Sequence, residues 1–204
     1  MNRLKKIGVR LLIVMGSGLV VGSVQGAPAP PPLANVVILI VRHAEKPETG
    51  AGLTDAGRQR ASAYVRYFKH YKIGAVTLHL DHLIATADTA HSRRPRLTLE
   101  PLSLALHLPL DTRFQDHNSA ALISSLQSDP GGKRILICWH HGEIAELLTD
   151  LGADPKAVLP HGKWPADVYD WVIQLHYDRH GKLLPGQTRR IRERLMPGDE
   201  TTLP

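Results

Sequence analysis

With 204 residues, 43% of them apolar and 22% charged, the chain has enough material for one packed domain and is too apolar for a disordered segment. Its formal charge of +6 is deceptive: the first 26 residues hold four of the 25 basic residues and none of the 19 acidic ones, which leaves +2 for the rest. Overall basicity therefore gives no ground for a nucleic-acid binder, and a single cysteine, Cys138, excludes an internal disulfide framework.

The chain opens with Arg3, Lys5, Lys6 and Arg10, followed by an apolar stretch over Leu11–Val24 and small residues around Gly26. This order of basic, apolar and small residues reads as a secretory signal peptide over residues 1–26, cleaved after Gly26. It is too short for a bilayer span, so no membrane association is expected beyond the signal, and the expected location is secreted, in the periplasm of a bacterium. Residues 27–34 read as a disordered, proline-rich start, residues 35–195 as one domain and residues 196–204 as a flexible tail.

Within the domain, Val36–Ile40 is an unbroken run of branched aliphatics, the signature of a buried strand in a parallel sheet. A loop over 45–53 leads to a helix capped by Thr54, with Ala61, Tyr64, Val65 and Phe68 at helical spacing up to about His70. Gly74 ends the connection and Ala75-Val76 begins a short extended piece. Residues 81–87 read as a second strand with its loop, 98–107 as a helix closed by Pro109, and 119–126 as a short helix before the Asp129-Pro130-Gly131-Gly132 turn. Lys133–Trp139 is the third clear strand, and Cys138 within it reads as a packed core residue. Glu143–Leu151 follows as a helix ended by Gly152, with Ile144, Leu147, Leu148 and Leu151 on one face. Val168–Tyr177 alternates as a strand, and Asp178–Gly181 is a hairpin turn. Trp139, Trp164 and Trp171 read as packing residues. The alternation of strands and helices predicts an α/β fold of three layers, a mostly parallel sheet flanked by helices, with an antiparallel edge hairpin near the C-terminus.

In such sheets ligands bind at the C-terminal ends of the strands. Arg42 and His43 stand directly after the first apolar run, pairing a planar five-donor cation with an imidazole that serves as nucleophile or base. By themselves they read equally well as a polar strand end. His140 and His141 repeat the arrangement after the third strand, ahead of a helix start whose free N–H groups favour an anion. Ser92-Arg93-Arg94-Pro95-Arg96 adds a dense positive loop.

Four segments, in order, resemble the histidine phosphatase superfamily, the phosphoglycerate-mutase-like proteins. Arg42-His43-Ala44-Glu45 is similar to the family's Arg-His-Gly/Ala-Glu signature, and Leu53-Thr54-Asp55-Ala56-Gly57 to its Leu-Thr-x-x-Gly helix start. Arg94-Pro95-Arg96-Leu97-Thr98 resembles its Arg-x-x-x-Thr element, and Ile137-Cys138-Trp139-His140 the strand bearing its second histidine. The resemblance implies a phosphohistidine on His43, with Arg42, Arg94 and His140 holding the phosphoryl oxygens, and no cofactor or metal. It implies a small phosphorylated substrate, with Glu45, Lys46, His141 and Arg93 as further phosphate- or substrate-binding residues.

The second catalytic histidine is assigned to His140 because Ile144, four residues on, begins the helix's apolar stripe; His141 is then a wall residue. Ala90 replaces the serine often found four residues before the second arginine, so Arg93 and Arg96 compete with Arg94 for that role. No acidic motif marks the proton donor. Asp116 and Glu100 are the candidates, and Asp116 reads first as the cap of the helix at Ser119. The activity expected is hydrolysis of a phosphomonoester. The alternative is a non-catalytic phosphate- or metal-binding module on the same fold, suggested by the 12 histidines, though none of them shows regular ligand spacing.

Overall fold

The computed structural model describes residues 33–128 and 133–199. The expected signal peptide, residues 27–32 of the expected proline-rich start, the turn expected over 129–132 and residues 200–204 lie outside the described residues.

Strand β1 (Val37–Arg42) leads through a loop to helix α1 (Asp55–Lys69), which starts where Thr54 accepts the Gly57 N–H on its side-chain oxygen at 3.0 Å. A small antiparallel hairpin, β2 (Lys72–Ile73) and β3 (Val76–Thr77), turns at Gly74, whose φ of +62° suits glycine. Strand β4 (His82–Ala85) precedes helix α2 (Arg94–Leu106). That helix begins four residues before the expected Thr98, because Pro95 lies in its first turn, where a missing N–H costs nothing. A short strand β5 (Leu110–Asp111) follows, then α3 (Ser119–Ser128), β6 (Arg134–Trp139), α4 (Ile144–Asp150) and α5 (Pro155–Val158). The chain closes its sheet with β7 (Trp171–His176) and β8 (Arg189–Arg192).

Six strands form one sheet in the order β5-β4-β6-β1-β7-β8. The four from β5 to β1 are parallel neighbours, and β7 and β8 complete an antiparallel edge. The turn after β7 forms as expected, with Asp178 accepting from the backbone N–H groups of His180 and Lys182. Its ladder partner, however, is the later Arg189–Arg192 segment. The alternation along β1 divides the core in two. Ile38 and Ile40 pack with α3, α4 and α5 on one face; Leu39 and Val41 pack with α1 and α2 on the other. Trp139, Trp164, Trp171 and Cys138 are all buried, as their apolar surroundings predict. The result is a three-layer α/β sandwich whose parallel strands end together at one rim. Among the described residues, no helix is long and apolar enough to cross a membrane.

Packing continues past the expected end of the domain. Asp199 is 6% exposed, and its carboxylate accepts from the backbone N–H groups of Leu195 and Met196.

Candidate active site

The register of the sheet sets the site. Arg42 lies opposite Trp139 in the parallel β1–β6 ladder, so the next residues, His43 and His140, emerge side by side at the strand ends. Their ring centroids are 5.4 Å apart. His43 is 2% exposed, and its backbone N–H donates to Trp139 O at 3.1 Å. Its Nδ1 lies 2.7 Å from Ala44 O. A carbonyl only accepts, so the proton sits on Nδ1 and the lone pair on Nε2. Burial, helped by the positive charge of Arg42 and by His140 and Arg94, pushes the His43 pKa down to about 3. The ring is therefore neutral, with a nucleophilic Nε2, at all physiological pH values.

The loop behind His43 is fixed from two helices. Thr98 of α2 accepts the Ala44 N–H at 2.9 Å and donates to Arg94 O at 2.8 Å. In α1, Gly57 packs so close to Glu45 that a Cβ there would stand 2.4 Å from the Glu45 carbonyl oxygen. The resemblances at Thr98 and Gly57 thus have a mechanical reason: both hold the turn that presents the histidine.

Two guanidinium groups flank the ring. Arg42, 1% exposed, gives one terminal nitrogen to the carbonyls of Ala166 and Val168 at 2.8 and 2.9 Å and, more weakly, Pro165. Its carbon lies 3.8 Å from the centroid of the Tyr169 ring. Burial lowers its pKa to about 10, which leaves it charged at neutral pH. Arg94 is anchored by the carbonyls of Gly50 and His91. In both arginines Nε–H is buried without a hydrogen-bond partner. A buried donor left unpaired costs about 1–3 kcal/mol; two of them, on arginines whose charges both act on His43, mark a place for an anion.

His140 is held on both nitrogens, with Ser92 Oγ 2.9 Å from Nε2 and Asp116 Oδ2 3.0 Å from Nδ1. Burial lowers its pKa, and the nearby Asp116 opposes that shift. His141 meets the same rim from behind, its Nδ1 accepting from Arg42 at 3.3 Å. Burial, together with the charges of Arg42 and Lys46, brings its pKa down to about 4.

The structure therefore gathers Arg42, His43, Arg94, His140, His141 and Asp116. Arg96 pairs with Asp88 and Glu100 on α2, and Arg93 is exposed at the helix start, which leaves Arg94 as the arginine of the site. Glu100, one of the two proton-donor candidates, is occupied in that i,i+4 pair and is not among the groups around His43. Asp116 is not the cap of α3 either: Asn118 accepts the Ala121 N–H, and Asp116 instead orients His140. Lys46 is exposed at the edge, and Glu45 is turned inward onto Arg60.

Four contributors escaped the sequence reading: Thr86, whose hydroxyl lies 3.4 Å from His140 Nδ1, Ser92, Tyr169 and the carbonyls of Pro165, Ala166 and Val168. Ser92 carried a signal, since it stands two residues before Arg94 where a serine was sought four before it. Tyr169 and the carbonyls carried none, because they reach Arg42 from a loop more than 120 residues away. Among the described residues, no group of three or more His, Cys, Asp or Glu side chains is placed to hold a metal ion.

No protein-family model and no curated protein matches this sequence. Among solved structures, the chain is similar to the protein histidine phosphatase SixA complexed with tungstate, with a TM-score of 0.53 at 16% identity, over 77% of this chain and 97% of that one. A phosphoglycerate mutase from Plasmodium falciparum aligns with a TM-score of 0.49 at 16% identity, over 84% of this chain and 95% of that one. The fold is that of the protein histidine phosphatase SixA.

Proposed function

We propose that the protein is a phosphohydrolase that cleaves a phosphomonoester through a phosphohistidine on His43. One observation carries this reading: a neutral imidazole with its lone pair on Nε2 feels the charge of two guanidiniums, each with an unpaired buried Nε–H. Tungstate, found in the SixA structure, is a tetrahedral oxyanion of the kind such a pocket would hold.

In the first step the Nε2 lone pair of His43 forms an N–P bond as the P–O bond to the leaving group breaks. Arg42 and Arg94 offset charge on the phosphoryl oxygens, which supplies most of the rate enhancement in such transfers. The leaving oxygen takes a proton from the His140–Asp116 pair, whose carboxylate is half-buried at the rim. Water then attacks phosphorus, returning a proton to the His140–Asp116 pair as the N–P bond breaks, and phosphate leaves with the His43 lone pair restored. The substrate is small and phosphorylated, and the basic-then-apolar opening of the chain supports action outside the cytoplasm, in the periplasm of a bacterium.

A screen of phosphomonoesters with the purified chain and its His43→Ala variant tests the reading. Phosphate release by the wild type that vanishes in the variant is the expected result. Binding of inorganic phosphate without turnover of any phosphomonoester would instead make the protein a binding module.

A further inference from the structure

Beneath the site lies a set of buried charges that the phosphoryl-transfer chemistry does not use. Arg60, in the middle of α1, is 1% exposed. Its Nε and one terminal nitrogen donate to Glu45 Oε1 at 2.9 and 2.8 Å. The terminal nitrogens also reach both Asp199 oxygens, at 3.1 and 2.7 Å. Glu193, just after β8, approaches the same guanidinium at 3.4 Å and accepts from the Tyr64 hydroxyl at 2.8 Å. Burial holds the Glu193 carboxyl well above the usual carboxylate range. One cation thus serves Glu45, two residues after the nucleophile, and Asp199, beyond the last strand, with Glu193 at its edge.

Glu45 is the hazard in this arrangement. Its charge acts on Arg42, and its second oxygen, Oε2, is buried without a partner. A carboxylate whose charge acts on the anion-binding arginine competes with a phosphoryl group for it. The two donors from Arg60 hold Glu45 away from the clamp and neutralise it.

We infer that Arg60, braced by Asp199, is a positioning residue that keeps Glu45 off Arg42, so that the segment following β8 sets how tightly the site binds phosphoryl oxyanions. The inference rests on the phosphohydrolase reading for its consequence in catalysis. Its geometry predicts an effect on oxyanion affinity even before any turnover. With Asp199 intact, Arg60 is pinned between two carboxylates in one orientation. Without that brace it turns toward Glu193, and Glu45 loses its fixed donors.

The test is the affinity for inorganic phosphate and tungstate, measured by calorimetry on the full chain, alongside KM and kcat. Asp199→Asn keeps the size of the side chain and removes the charge. It is expected to weaken oxyanion binding and raise KM about tenfold, with kcat changed by less than about threefold; a tenfold change corresponds to about 1.4 kcal/mol. Arg60→Met is expected to weaken binding further. Adding Glu45→Gln to either variant should restore oxyanion affinity to within about threefold of the wild type, because the competing charge is gone. A purely structural role would lower the melting temperature without that rescue.

Unchanged oxyanion affinity in Asp199→Asn, or failure of Glu45→Gln to rescue a variant that still melts cooperatively, would overturn the inference. Wild-type protein that binds oxyanions but turns over no phosphomonoester would sink the hydrolase reading and leave the positioning role standing. Wild-type protein that binds neither oxyanion would overturn both.

Discussion

At the scale of single residues, the division of labour between the two adjacent histidines is the most exposed point of the account. His140 is gripped by Ser92 and Asp116 and faces the His43 ring at 5.4 Å; His141 meets Arg42 at 3.3 Å and stands farther from the nucleophile, its ring centroid 6.5 Å from that of His43. Removing a group that stabilises transferred charge typically costs about 100- to 1000-fold in kcat. His140→Ala is expected to lose activity on that scale, whereas His141→Ala should lose about tenfold or less. Steady-state rates of the two variants decide it, and the reverse order would put the catalytic role on His141. The sequence made this assignment available through the spacing to Ile144. It could not supply Asp116 as the orienting group, because the contact joins two segments that only the fold brings together.

At the scale of elements, the site depends on how tightly α1 and α2 hold the turn after β1. Gly57→Ala forces a Cβ against the Glu45 carbonyl at 2.4 Å, backbone against backbone, with no side chain able to yield. Overpacking of this kind costs about 1–3 kcal/mol. We expect a matching loss of stability in denaturant titration, accompanied by a fall in turnover as the histidine loop is displaced. A variant as stable and active as the wild type would mean that the loop is not held from α1. The elements that position the histidines were legible in the sequence for simple reasons. Apolar runs gave β1 and β6, Thr54 gave the start of α1, and Gly152 gave the end of α4. Others were not. A two-residue strand such as β5 carries no periodic signal. In β8, Arg189, Arg190 and Arg192 mask a pairing that exists only because β7 offers an open edge. Arg60 reads on a helical face as a solvated cation and is buried only because Asp199 and Glu45 meet it.

At the scale of the molecule, the buried neutral histidine ties stability to pH. The folded-state pKa of His43, about 3, lies below its unfolded value of about 6.5. Above pH 6.5 neither state binds the proton, so the group is neutral in its effect. Below that value the unfolded chain takes up a proton that the folded one refuses, and stability falls by about 1.4 kcal/mol per pH unit down to the folded pKa. Denaturant titrations of the wild type and of His43→Gln should therefore converge or cross as pH drops from 6.5 to 4, the wild type losing more. Parallel curves would mean that the His43 environment is more open than its 2% exposure indicates. The same shift predicts that activity shows no acid limb near pH 6.5 arising from the nucleophile.

The central claim is that His43 carries the phosphoryl group. It is tested most directly by acid-free quenching of the enzyme during turnover of a phosphomonoester, followed by peptide mass spectrometry under alkaline conditions that preserve phosphohistidine. The account predicts a phosphoryl group on His43, gained and lost with turnover and absent from His43→Ala. Turnover with the label on His140 or on any other residue, or turnover that persists in His43→Ala, would contradict it.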